Sequence, residues 1–101
     1  MSVFAKRLKE IRKLRGLSQE KLGTLAGIDE ASASGRMNHY ERGRHEPDFT
    51  MVERLASVLN VPEAYFYAKD DEMAQLLQLW PRLKKAQRQA ISTLFEELAA
   101  P

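Results

Sequence analysis

The sequence contains no cysteine. That absence excludes a disulfide framework, a cysteine-based zinc site and a thiol nucleophile. No apolar run approaches the roughly 20 residues that a membrane span requires. There is no glycine-rich phosphate loop, and the serines, histidines and aspartates form no nucleophile motif. We therefore expect no enzyme, no cofactor and no membrane partner. His39, His45 and Glu46 match no metal-ligand spacing, so no metal is expected either. Met1-Ser2-Val3 leads directly into an amphipathic stretch without a secretory pattern. The expectation is a soluble, cytoplasmic, all-α chain.

The 101 residues suit one small domain with a short appendage. The formal net charge of +2 is too small to imply a partner by itself. Its distribution is more informative. Residues 1–50 hold ten Lys/Arg against seven Asp/Glu, a balance of +3, whereas residues 51–101 hold six against seven, a balance of −1.

The stretch SQEKLGTLAGIDEASASGRMNHYERG, residues 18–43, organises the remainder. Ser18 is an N-cap, with Leu22, Leu25 and Ala26 on one face of the helix that follows. Gly23 allows a neighbouring helix to approach closely. Gly27 supplies the positive φ that ends the helix and turns the chain. A second helix is predicted over 34–42, with Met37 and Tyr40 turned to the core. Ser34, Gly35, Arg36, Asn38 and His39 fall on the rest of its surface. Two short helices joined by a glycine turn form the pattern of a helix-turn-helix.

The run LSQEKLGTLAG, followed by NHYERGRHEPDFTMVERLASVLNVPEAYF, resembles the Cro/CI-type (XRE) helix-turn-helix regulators with a lambda-repressor-like DNA-binding domain. The resemblance covers about residues 4–67. It implies a compact five-helix domain that binds duplex DNA as a dimer. It also implies that Arg12 pairs with Glu41, and that Gln19 touches a phosphate while bracing the recognition helix. The free N–H groups at a helix N-terminus support Ser18 and Gln19 as phosphate neighbours independently. Arg42 and Arg44, in the basic loop after the recognition helix, are further candidates for the DNA backbone.

Between Gly27 and Glu41 the chain carries about four residues more than the usual motif, close to one helical turn. Either the recognition helix starts a turn earlier, with Ser32 as its cap, or the turn is a longer loop. Gly35, a poor helix residue, favours a helix that starts near it. The residue types suit a groove: Arg36 can donate twice to guanine, Asn38 can pair with adenine, and Ser34 is permissive. Asp29 and Glu30 are not expected beside phosphates.

The first helix is expected from residue 2 or 3 to 15, with Phe4, Leu8, Ile11 and Leu14 as its buried stripe. After Pro47, a fourth helix is capped by Asp48 or Thr50 and buries Met51 or Val52, Leu55, Ala56 and Leu59. Val61-Pro62 opens a short fifth helix. Tyr65-Phe66-Tyr67 closes the core or forms a dimer contact. These elements place a DNA-binding domain at 1–68. Residues 69–101 then form an amphipathic extension of one or two helices, broken at Pro81. Its stripes, Met73/Leu76/Leu77/Trp80 and Ile91/Leu94/Phe95/Leu98, suit a dimerising hairpin, the alternative being an extension packed on its own domain.

The function so implied is a homodimeric, sequence-specific regulator of duplex DNA, a repressor reading the major groove with its third helix, and without a small-molecule effector. The alternative is a protein-interaction module, antitoxin-like or partner-dependent, that keeps the fold without reading DNA by itself.

Overall fold

The computed structural model describes residues 2–101, and among them there is no strand. Helix α1 (Val3–Leu14) is capped by the Ser2 hydroxyl, which accepts from the Ala5 N–H at 3.1 Å. Its apolar spacing buries Phe4, Leu8 and Ile11 as the periodicity predicts, but Leu14, in the last turn, is 62% exposed. Helix α2 (Gln19–Leu25) starts at Ser18, whose hydroxyl accepts from the Lys21 N–H at 3.0 Å. Gly27 follows with φ +92°, and the chain enters α3 (Glu30–Glu41).

Helix α3 begins a full turn before residue 34. Asp29, not Ser32 or Ser34, is its N-cap residue, with φ −53° and ψ 137° and no capping hydrogen bond. Gly35 lies within the helix, where a Cβ would meet open space. The helix tolerates that glycine because both of its ends are held. Near the start, a Cβ added at Gly23 would stand 2.8 Å from the Ala33 Cβ and 3.0 Å from its carbonyl oxygen. Only a residue without a side chain lets α2 and α3 cross this closely. Gly23→Ala gains some helix propensity and still destabilises the fold, by on the order of 1–2 kcal/mol, because backbone must move to relieve the overlap. Chemical denaturation measures the loss; unchanged stability would contradict the packing.

Helix α4 (Phe49–Leu59) takes its cap from Asp48, whose carboxylate accepts from the Met51 N–H at 2.9 Å, rather than from Thr50. It buries Met51, Val52, Leu55, Ala56 and Leu59 and ends at Asn60 in the left-handed conformation. The fifth element is a 3-10 turn (Glu63–Tyr67) rather than an α-helix. Tyr65 and Phe66 close the core, while Tyr67 is turned outward at 55% exposure. Phe4 lies against both Phe66 and Tyr67, with ring centroids 5.0 and 5.8 Å apart.

Asp70 caps α5 (Asp71–Leu79), a second 3-10 turn (Trp80–Arg82) contains Pro81, and α6 (Lys85–Ala99) completes the chain. Helix α6 does not fold back on α5 as a hairpin. Its side-chain hydrogen bonds to the preceding turn are local: the Arg88 guanidinium lies over the Trp80 ring at 5.0 Å and donates to the Trp80 carbonyl at 3.0 Å and the Leu83 carbonyl at 3.4 Å. No α6 residue is buried. The chain measures 53 × 26 × 22 Å, with a radius of gyration of 15.5 Å, against about 13 Å for a compact domain of this length. The excess is the C-terminal arm projecting from the domain.

Candidate nucleic-acid interface

Three buried side chains, Ala33, Met37 and Tyr40, fix how α3 is rotated on the domain. Their spacing turns the opposite side outward, so Ala31, Gly35, Asn38 and Arg42, at intervals of four, three and four, share the outermost line. Ala31, Gly35 and Arg42 are exposed and Asn38 is half-buried. Ser34 lies exposed on one flank. Arg36 lies exposed on the other, where its Nη2 donates to the Tyr40 hydroxyl at 2.9 Å. His39 is half-buried beside the exposed His45, their ring centroids 5.2 Å apart.

The far end of α3 is locked. Glu41 is buried, and its Oε1 accepts from Arg12 Nη2 at 3.0 Å and from Gln19 Nε2 at 3.2 Å. Arg12 Nε donates to the second carboxylate oxygen, and Arg12 Nη1 donates to the Leu17 carbonyl at 2.9 Å. One carboxylate thus joins α1, the start of α2 and the end of α3. Ser18 accepts from the Lys21 N–H in its own cap, and Gln19 beside it is half-buried.

Basic residues stand on either side of α3. A groove of about 640 Å³ between α1 and the loop after α3 is lined by Lys6, Lys9, Lys13, Arg42 and Arg44, together with Glu10 and Glu41. Both acids are already paired, with Arg7 and Arg12. Lys9, Lys13, Arg42 and Arg44 have no acidic partner among the described residues. On the other side, a cleft of about 720 Å³ between α3 and α4 holds Arg36, His39, His45 and Arg54, with Glu46 and Asp48 at its wall.

The sequence reading missed Ala31 and Arg54. Ala31 belongs to the outward line only once α3 starts at Glu30, and the spacing 31/35/38/42 would have shown it. Arg54 is on the exposed side of α4, with its Nη1 3.5 Å from the position of a Cβ on Gly27, a proximity that no local pattern announces. Among the described residues no group of three or more histidines and carboxylates is placed to hold a metal.

The helix-turn-helix family model matches residues 8–66, more than half of the chain. This chain belongs to the XRE-type helix-turn-helix family. The matched stretch ends at Phe66, where the second aromatic of the 3-10 turn closes the core. A solved structure extends the similarity beyond the helix-turn-helix unit. The crystal structure of the transcriptional regulator BswR is 43% identical in sequence, covering 96% of this chain and 94% of that one, with a TM-score of 0.86. No curated protein matches the chain. Membership of the helix-turn-helix family makes the chain a DNA-binding regulator rather than an enzyme.

Proposed function

We propose that the chain is a homodimeric, sequence-specific repressor that lays α3 in the major groove of an operator. The observation that carries this reading is the outward line of α3, small at Ala31 and Gly35, polar at Asn38, and bordered by basic residues on both sides. Small residues let the helix backbone approach the base edges, and an asparagine can pair with the N6 and N7 edge of adenine. Ser34, Arg36 and His39 extend the contact along the flanks. Ser18 and Gln19 at the α2 N-terminus, with Arg42 and Arg44 after α3, serve the phosphates. The Arg12–Glu41 pair acts through geometry, keeping α2 and α3 at a fixed angle.

The arm supplies the second half of the proposal. Leu94, Phe95 and Leu98 are 50%, 56% and 74% exposed on one face of α6, while Met73, Leu76 and Leu79 are exposed on α5. An apolar stripe of this length left in water marks an association surface. A second copy of the chain would bury it and set two recognition helices about one DNA turn apart, roughly 34 Å.

Two substitutions separate reading from holding. Asn38→Ala is expected to cost about 1–3 kcal/mol on a cognate duplex and to relax preference at one base pair. Arg44→Ala is expected to weaken all duplexes nearly equally and to lower the salt slope by about one. Fluorescence anisotropy over a salt series checks both. Base preference unchanged in Asn38→Ala would place the reading face elsewhere.

A further inference from the structure

The only buried charged side chains besides Glu41 among the described residues belong to Arg7, 3% exposed. Its guanidinium donates to the Ala68 carbonyl at 2.8 Å, the Lys69 carbonyl at 3.1 Å, Asp71 Oδ1 at 2.9 Å and Glu10 Oε2 at 2.9 Å. Two of these acceptors are main-chain oxygens of the corner between the domain and the arm. The third is the first residue of α5. Arg7 therefore grips the corner itself, from the side of α1 that faces away from α3.

Little else holds the corner. Ala74 is the one buried residue of α5, and Leu77 is half-buried against the core. The other link across it, Lys6 to Asp71 at 3.4 Å, is exposed. An apolar side chain could fill the space at position 7, but it could not fix the direction of the main chain that leaves it. Directional donors on a rigid fork do fix it.

We infer that Arg7 is a positioning residue for operator geometry: its grip on Ala68, Lys69 and Asp71 sets the angle of the arm and with it the half-site spacing that the dimer accepts. This rests on the reading of the arm as the dimer contact. Laid in line, α5 and α6 would span roughly 36 Å at 1.5 Å per residue. A pivot of about 10° at the corner moves the far end of such an arm by roughly 6 Å, close to two base-pair rises of about 3.4 Å. A dimer with a firm corner discriminates spacers that differ by one or two base pairs. A dimer with a loose corner accepts them all.

The test uses the full-length chain and inverted repeats built from a half-site selected on the wild type, with spacers varied one base pair at a time. Arg7→Met keeps the aliphatic stem and removes the donors. Asp71→Ala removes the exposed partner and leaves the buried donors in place, so it carries the test should Arg7→Met fail to fold. Wild type is expected to prefer one spacer at least 20-fold over its neighbours at two base pairs. Asp71→Ala should reduce that preference several-fold and Arg7→Met to under 3-fold. Binding to an isolated half-site and the dimer mass in sedimentation should stay unchanged. An unaltered spacer profile in Asp71→Ala, together with one in any Arg7→Met that folds, would overturn the inference. A wild-type chain that sediments as a monomer would overturn the dimer reading, and the inference with it.

Discussion

Glu41→Ala is expected to destabilise the protein by about 3–5 kcal/mol, which is a large fraction of the total for a domain of this size. Glu41 is 6% exposed and is the acceptor for both Arg12 and Gln19. Without it, Arg12 keeps only the Leu17 carbonyl, and a guanidinium that is itself 12% exposed is left without a counter-charge. The cost comes mainly from that stranded charge rather than from the lost attraction, since desolvation offsets most of what a buried pair gains. The double change Arg12→Met/Glu41→Leu should therefore recover much of the stability. It should not recover operator binding, because Gln19 and the end of α3 lose their common anchor. Urea unfolding of the single and double variants, read beside anisotropy on the cognate duplex, distinguishes stability from positioning. Equal destabilisation in the single and double variants would show that the pair matters through its packing instead.

The second large effect concerns the arm. Leu94→Glu/Phe95→Glu places two carboxylates on the exposed stripe of α6, where no α6 residue is buried against its own domain. Thermal stability of the monomer should hardly change, since surface substitutions away from packed features are nearly neutral. Association should be lost, because burying two unpaired carboxylates opposes it. Binding to an inverted repeat should then fall by roughly 100-fold or more, the benefit that linking two half-sites provides, while binding to an isolated half-site persists. Analytical ultracentrifugation paired with half-site and full-site titrations reports each part. A variant that stays dimeric would place the contact off this stripe.

The elements with strong periodicity and clear caps were legible in the sequence. The stripes of α1 and α4 lie at helical spacing, and Ser18 and Asp48 (the latter one of two candidates with Thr50) are each one residue before a helix whose first-turn N–H they accept from. The start of α3 was legible only as one of two alternatives, the earlier start that the structure shows, and local residues did not choose it. Its first two turns, EASASG, offer one buried residue, Ala33. Asp29 makes no capping bond, and Gly35 argues locally for an end rather than a middle. Contacts remote in sequence decide the matter, Gly23 with Ala33 at one end and Arg12 with Glu41 at the other. With the earlier start Ala31 joins Gly35, Asn38 and Arg42 on the outer line, while Arg36, a groove candidate in the sequence, lies on the flank beside Tyr40.

Tyr65-Phe66-Tyr67 shows a similar limit. Three consecutive aromatics in a 3-10 turn point in three directions about 120° apart, so they cannot all face the core, and Tyr67 is the one left out. In the arm, hydrophobic spacing revealed that apolar faces exist but not what they meet. The core takes Ala74 and half of Leu77, while Met73 and Leu76 remain in water.

The pKa pattern at the corner gives a consistent electrostatic picture. Burial alone would lower the Arg7 guanidinium, but its bonds to Glu10 and Asp71 outweigh this and raise it above its ordinary value. The hydrogen bond from Arg7, followed by the charge of Lys6, holds the Asp71 carboxyl below its usual range. A carboxylate depressed on folding stabilises above its unfolded pKa of about 3.9 and loses that contribution as pH falls through the folded value. The corner therefore stays intact at neutral pH and loosens only in acid.

The most direct test of the account is selection of duplexes by the purified full-length chain from a random pool, at two salt concentrations. The account predicts enrichment of an inverted repeat with half-sites about one helical turn apart, with selectivity surviving at the higher salt while total retention falls. Retention that is uniform across sequences and disappears with salt would leave only backbone attraction. That result would contradict α3 as a reader of bases and favour a module whose recognition depends on a protein partner.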